Sequence, residues 1–342
     1  MKQEYIYPFA AIVGQDEMKL ALILNVIDPT LGGVLLRGEK GTAKSTAVRS
    51  LAALLPPLHT VRGCRYRCAP TGGTLCADCA EKVSAGEQLA EETRPMRVVE
   101  LPVNATEDRV AGTLDIEAAI LEGKKKFEPG ILAAANRNIL YVDEVNLLED
   151  HIVDILLDSA AMGVNTVERE GISYAHPARF VLVGTMNPEE GELRPQLLDR
   201  FALSVEIRGE RDAAQRAEVV RRRLAYEREP AAFAEAYAGE QAALAARIAR
   251  AQERLASLVP DDESIDKAAR ISLELGVDGH RSDIVLIKTA LAHAAYEGRD
   301  AIAADDLRAA AHLALAHRVR RRPFEEGPVD WSAVDALLGE SA

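Results

Sequence analysis

A parallel α/β domain followed by an all-helical domain is the fold class the sequence predicts, and three observations carry it. The apolar run Val34-Leu35-Leu36 feeds Gly38-Glu39-Lys40-Gly41-Thr42-Ala43-Lys44-Ser45 and then a helix-compatible segment, the strand, glycine-rich loop and helix of a phosphate-binding loop. Further compact apolar runs, separated by helix-compatible segments, end in polar residues able to do chemistry. Beyond residue 212 alanine and charged helix formers displace β-branched residues.

The elements follow in order. Ile12-Val13-Gly14-Gln15 closes an opening segment, and apolar residues at helical spacing predict a helix over Asp16–Ile27, with Pro29 at its exit. Val34–Leu36 reads as a buried parallel strand, and Ser45–Leu55 as a helix stopped by Pro56-Pro57. Further strands are expected in Val98–Val103, Ile139–Val142, Phe180–Val183 and Leu203–Ile207. Thr166–Pro177 reads as an inserted hairpin turning at Glu170-Gly171, and Ala111–Phe127 as an irregular insertion with the lysine run Lys124-Lys125-Lys126. Residues 213–258 are expected to be helical, followed by helices over Asp262–Leu275, Ser282–Glu297 and Ala304–Val319. The domain plan is therefore an α/β nucleotide-binding domain over 1–210 with a four-cysteine insertion at 60–82 and the hairpin at 166–177, a helical linker over 211–260, and a helical lid over 261–342.

The loop residues suit a nucleoside triphosphate. Backbone N–H groups of Gly38, Gly41, Thr42, Ala43 and Thr46 would face phosphate, Lys44 would reach the terminal phosphates, and Ser45 would give its hydroxyl to Mg2+. Ala43 stands where the usual pattern has glycine; a left-handed backbone there would cost an alanine roughly 1–2 kcal/mol. After Ile139–Val142, Asp143 can support Mg2+ through its water shell and Glu144 can orient the attacking water or take its proton. Asn187, after Val181–Val183, can bring an amide to that water or to the γ-phosphate. Arg194 and Arg200 stand where either could reach a nucleotide held by a neighbouring subunit. Arg281 opens a helix of the lid and could report nucleotide state to it.

All four cysteines, Cys64, Cys68, Cys76 and Cys79, fall within sixteen positions, with Gly72-Gly73 between the pairs. Four thiolates at this spacing can surround one tetrahedral ion, and structural Zn2+ is the leading expectation; an iron–sulfur cluster is the alternative, and a reducing setting disfavours disulfides. Such a loop looks too polar to build a core of its own. Arg62, Arg65 and Arg67 would offset thiolate charge, and His59 is a further possible ligand.

A formal charge of −13 argues against broad nucleic-acid binding and favours protein partners or small ligands. The chain's first residues do not start a secretory segment and no apolar run is long enough for membrane insertion, so a cytoplasmic location is expected.

With these motifs assembled, the chain resembles an AAA+ ATPase, specifically the I subunit of magnesium chelatase and its relatives. The resemblance runs from Phe9 to about Arg321, and Ile12-Val13-Gly14-Gln15, Ala105-Thr106-Glu107-Asp108-Arg109-Val110-Ala111-Gly112 and Gln196-Leu197-Leu198-Asp199-Arg200-Phe201 are its family-like segments. It implies a P-loop core with a helical lid, assembled as a homo-oligomer, usually a hexameric ring. The partners it implies are a von Willebrand A-domain subunit and a large subunit that binds the tetrapyrrole. Lys44 and Ser45 match the phosphate-loop lysine and hydroxyl, Asp143 and Glu144 the Walker B pair, Asn187 sensor 1, Arg200 the finger acting in trans, and Arg281 sensor 2. Arg109 is a secondary candidate for communication between subunits. The alternative is a general AAA+ remodelling ATPase acting on a metalloenzyme or a von Willebrand A-domain partner.

Overall fold

The computed structural model describes residues 5–39, 41–115, 126–169, 172–319 and 329–339. Its centre is a five-stranded sheet built from β1 (Val34–Gly38), β4 (Val98–Leu101), β7 (Ile139–Val142), β10 (Val181–Met186) and β11 (Leu203–Ile207), in the order β11-β1-β10-β7-β4. Every neighbouring pair is parallel. Alternate residues of each strand feed two cores: Val34 and Leu36, Ile139 and Tyr141, and Val181 and Val183 face one, whereas Leu35, Leu140, Val142 and Leu182 face the other. A strand buried on both sides needs apolar residues at every position, which is why these strands read as continuous runs.

Helices close both faces. On one side lie α1 (Asp16–Ile27) and α2 (Lys44–Leu54); on the other lie α4 (Glu107–Ala111), α5 (Ile131–Ala135) and α6 (Asp150–Met162), with the short α7 (Pro195–Leu198) leading into β11. The region expected as a linker holds three helices, α8 (Ala213–Arg228), α9 (Pro230–Ala236) and α10 (Ala238–Leu255). Beyond them come α11 (Asp262–Glu274), α12 (His280–Tyr296), α13 (Ala304–Leu315) and α14 (Ser332–Gly339). The first sheet core runs without a break from α1 and α2 into Ile248, Ala251, Ile271, Leu286 and Leu313, so the helical region is packed onto the sheet domain.

Two insertions depart from the sequence reading. The segment 58–94 contains a β2 (Leu58–Val61) and β3 (Glu91–Arg94) antiparallel pair and α3 (Ala77–Ser84), none of which was expected. Its apolar residues are buried in a core shared with other segments rather than one of its own: Val61, Tyr66, Cys68, Cys76 and Cys79 join Leu114, Phe127, Ala133 and Val167. The second insertion is no irregular excursion at its ends, because β5 (Gly112–Asp115) pairs antiparallel with β6 (Lys126–Pro129). Residues 116–125, with Lys124 and Lys125, lie outside the described residues. The expected hairpin is formed by β8 (Val164–Arg169) and β9 (Ile172–Pro177), and its turn residues Glu170 and Gly171 are likewise outside the described set.

Candidate nucleotide site and cysteine centre

The carboxyl ends of the parallel strands meet at one cavity of about 700 Å3. β1 delivers the glycine-rich loop, β7 delivers Asp143 and Glu144, and β10 delivers Thr185 and Asn187, so three separate strand ends converge as expected for ligand sites in open parallel sheets. Gly41, Thr42, Ala43, Lys44, Ser45 and Thr46 all line it. Gly38 lies underneath: a Cβ there would stand 2.2 Å from the Ile207 carbonyl oxygen, which excludes any side chain. Lys40 lies outside the described residues.

Ala43 does adopt the left-handed conformation, at φ 61° and ψ 16°, immediately before the first residue of α2. The loop therefore carries backbone strain at the residue where glycine would carry none. Thr42 Oγ1 donates to Glu39 O at 2.8 Å, and Lys44 Nζ donates to the carbonyls of Gly38 and Glu39, which draws the ammonium over the loop. Partial burial pushes the Lys44 ammonium below the ordinary lysine range, while Asp143 and Glu144 oppose that shift, so the cation faces both carboxylates.

Asp143 is fixed from two sides: Tyr141 Oη donates to Oδ1 at 2.9 Å and Thr185 Oγ1 donates to the same oxygen at 2.6 Å. The Thr185 hydroxyl also accepts from the Glu144 backbone N–H at 3.1 Å, and Glu144 holds φ 53°. One buried hydroxyl thus holds both the Asp143 carboxylate and the Glu144 backbone. Asn187 is buried at the rim, its side-chain oxygen accepting from Glu189 N at 3.3 Å. The sequence reading singled out Asn187 and passed over Thr185 and Tyr141. It also gave α8 no part here, although Arg216, Val219, Val220 and Arg223 line the cavity together with Tyr7, Ile12 and Val13, and Tyr7 packs on Tyr226 of α8. An apolar wall, a glycine-rich loop with a lysine, and two neighbouring carboxylates, that of Asp143 held by two hydroxyls, form a site able to hold a base, a phosphate chain and a divalent cation.

The structure does not bring the other arginines to this cavity. Arg200 lies in the turn between α7 and β11, where its guanidinium pairs with Asp154 and Asp158 of α6. Arg194 pairs with Asp150 at 2.6 Å. Arg281 is exposed in the first turn of α12 and Arg109 is exposed in α4.

The cysteine segment gathers its ligand atoms: the four Sγ atoms lie within 4.8 Å of one another, three of the residues being buried. Cys64 Sγ and Cys76 Sγ stand 3.8 Å apart, and Cys76 N donates to Cys68 Sγ at 3.2 Å. Hydrogen bonds from Cys68 and Cys76 pull the Cys64 thiol down, and burial pushes Cys79 up to about 12, the signature of four sulfurs sharing too little space to ionise together without a cation. The residues present therefore fit a metal ion. His59 does not join them; its Nδ1 meets Glu91 Oε1 at 2.5 Å across the β2–β3 pair. Two of the expected arginines bond elsewhere, Arg67 donating to Ala134 O at 3.0 Å and Arg62 to Glu91 O; Arg65 is exposed beside Cys64, and Arg137 lies close enough to Cys68 to feel its charge.

Residues 265–337 match the AAA lid domain, and residues 81–201 match the AAA domain of the dynein-related subfamily. A magnesium-chelatase subunit ChlI homolog of Methanocaldococcus jannaschii is 54% identical over 340 residues, covering 99% of this chain and 93% of that protein. The chain belongs to the magnesium-chelatase I-subunit family of AAA ATPases. The magnesium-chelatase 38 kDa subunit of Acidiphilium rubrum is 52% identical, over 98% of this chain and 99% of its own length. The family member also has a structural counterpart in a complex of the BchI and BchD subunits of magnesium chelatase, with 46% identity and a TM-score of 0.55 over 98% of this chain and 100% of that one. Among the described residues, no helix is long and apolar enough to cross a membrane.

Proposed function

We propose that this AAA ATPase is the motor subunit of a magnesium-chelatase-like complex, turning ATP hydrolysis into metal insertion into a tetrapyrrole held by a large partner subunit. The observation that carries the reading is the convergence of Lys44, Ser45, Asp143, Glu144 and Asn187 on one cavity in a chain alike to chelatase I subunits along nearly its whole length. In this reading the loop N–H groups and Lys44 hold the phosphates, and Ser45 with the water shell of Asp143 holds Mg2+. Glu144 serves the attacking water as base and Asn187 orients it.

Arg200 is assigned to a neighbouring subunit's nucleotide, in a ring, usually hexameric, that also engages a von Willebrand A-domain subunit. Its absence from the cavity of its own chain supports that assignment. Arg281, exposed in the first turn of α12, is assigned the sensor 2 role. The cysteine centre is assigned to structural Zn2+. Sulfurs 2.3 Å from one tetrahedral ion stand about 3.8 Å apart, and all four Sγ atoms lie within 4.8 Å of one another, whereas a polynuclear cluster would spread its thiolates over more than one iron and hold some of them farther apart around bridging sulfide. A cytoplasmic location fits thiols kept reduced for a metal.

Two experiments test this. Glu144→Gln should bind ATP yet lose turnover, and normal hydrolysis by that variant would remove Glu144 from its role. ATP turnover measured with proteins co-purified from the native cell should rise with a large tetrapyrrole-binding subunit. Stimulation only by an unrelated protein would redirect the reading to a general remodelling ATPase.

A further inference from the structure

Arg318 is an arginine without solvent. It follows α13 by three residues, its side chain is 1% exposed, and it reaches across to the turn that joins α7 to β11. Nε donates to Asp199 Oδ1 at 3.0 Å, Nη2 to Asp199 O and Phe201 O at 2.7 Å each, and Nη1 to Ala202 O at 3.0 Å. Nη1 also donates to Ala314 O in its own helix. All five N–H donors are thus engaged, four of them on the backbone and side chain of residues 199, 201 and 202. The residue those bonds straddle is Arg200.

Neighbouring groups reinforce the clamp. His317 Nε2 lies 3.1 Å from the same Phe201 carbonyl, and the Phe201 ring is buried against Gly184 of β10. Burial first, and Arg281 in smaller part, weaken the Arg318 cation, and Asp199 opposes both. The remainder of Arg200 projects from this fixed backbone to Asp154 and Asp158. A guanidinium fork spanning several acceptors fixes a backbone more tightly than a lysine point charge could. Because Arg318 belongs to the helical domain, that domain and the Arg200 turn are coupled as one body.

We propose that Arg318 is a positioning residue that holds the Arg200 turn at the orientation required by the nucleotide site of a second copy of this chain. The inference rests on the trans role given to Arg200 above. It makes a specific demand: loss of Arg318 must damage the neighbour's site and leave its own nucleotide site sound.

The test mixes full-length subunits. Arg318→Ala alone is expected to lose at least tenfold in kcat, with the KM for ATP changed by less than threefold. Arg318→Lys should fall between the two and guards against a folding defect in the alanine variant. Excess Glu144→Gln subunits, which carry an intact Arg200 turn and cannot hydrolyse ATP themselves, should then raise turnover per Arg318→Ala subunit severalfold. Arg200→Ala is the control and should be rescued in the same way. Rescue of Arg200→Ala without rescue of Arg318→Ala, or full activity of Arg318→Ala alone, would overturn the positioning role while leaving the trans arginine intact. Failure to rescue Arg200→Ala would remove the trans reading, and the positioning role with it.

Discussion

Replacing Thr185 by valine keeps the shape of a residue that is 1% exposed and deletes the hydroxyl that ties the Asp143 carboxylate to the Glu144 backbone. Two hydrogen bonds are lost: a short donation to the ionised Asp143 at 2.6 Å and an acceptance from Glu144 N at 3.1 Å. A hydrogen bond to a charged group contributes about 1.5–3 kcal/mol and a neutral one about 0.5–1.5 kcal/mol. Asp143 is exposed and keeps its Tyr141 bond at 2.9 Å, so water recovers part of the first contribution. The expected cost is therefore about 1–2 kcal/mol of stability, read by denaturant unfolding. The functional cost should be larger than the structural one, because Asp143 and Glu144 lose their common anchor. An error of about 1.4 kcal/mol in the barrier is tenfold in rate. Thr185→Val should thus lower kcat roughly tenfold or more and raise the Mg2+ concentration needed for half-maximal turnover, and Thr185→Ser should restore both. If Thr185→Val hydrolyses ATP at the normal rate with an unaltered Mg2+ dependence, the hydroxyl does not organise the acids and the reasoning fails.

Other outcomes follow from the same structure. Purified protein should contain about one zinc per chain by elemental analysis; Cys68→Ser should lose it, and hydrogen exchange should rise in β6 and β9, because Tyr66 Oη meets Tyr174 Oη at 3.0 Å and Tyr174 stacks on Phe127 at 4.3 Å. Retention of metal by Cys68→Ser would refute the four-sulfur assignment. Burial, with a smaller contribution from Arg318, depresses the His317 pKa from 6.5 to about 3. The unfolded chain therefore binds the extra proton between those values, so this histidine's contribution to stability is fully present above pH 6.5 and falls as pH drops toward 3. His317→Gln should flatten the acid limb of an unfolding-versus-pH curve by up to about 1.4 kcal/mol per pH unit, and an unchanged slope would rule the group out. Ala43→Gly should relieve the left-handed strain, offset by the greater freedom of glycine in the unfolded chain, for a net gain below about 1 kcal/mol in thermal unfolding; a marked loss would show that the alanine methyl makes a contact worth more than the strain.

The parallel sheet was legible because its strands are buried on both faces. Ile139–Val142 is an apolar run with the bounds the structure gives it; Leu203–Ile207, at the sheet edge, keeps the expected bounds through apolar residues that alternate with Ser204 and Glu206, and α1 spans the predicted residues. β2 and β3 left no such trace: half or more of their residues meet solvent, and their pairing depends on a core supplied partly by Leu114 and Phe127 from another insertion. Short strands stabilised by distant partners carry little local signal. The same holds for β5 and β6, whose order comes from an antiparallel pairing that no periodicity in Ala111–Phe127 announces.

At the site, the legible residues are those whose chemistry is tied to a local pattern. Lys44 and Ser45 follow a glycine-rich turn, Asp143 and Glu144 end an apolar strand, and four cysteines have no neighbours of their kind elsewhere. Thr185 and Arg318 had no comparable mark. A threonine two residues before Asn187 reads as one more strand residue until β10 is seen beside β7, because only that pairing brings its hydroxyl to Asp143. Arg318 opens a run rich in arginine, Arg318-Val319-Arg320-Arg321-Arg322, whose composition reads as a solvated basic stretch. Its significance lies in a contact with a turn more than a hundred residues earlier. Local pattern thus identifies the groups that would meet the nucleotide, whereas the groups that aim them are defined by tertiary contact. That division explains why Arg200 could be chosen from its motif, while the arginine that fixes its direction emerged only from the packing of the helical domain against β11.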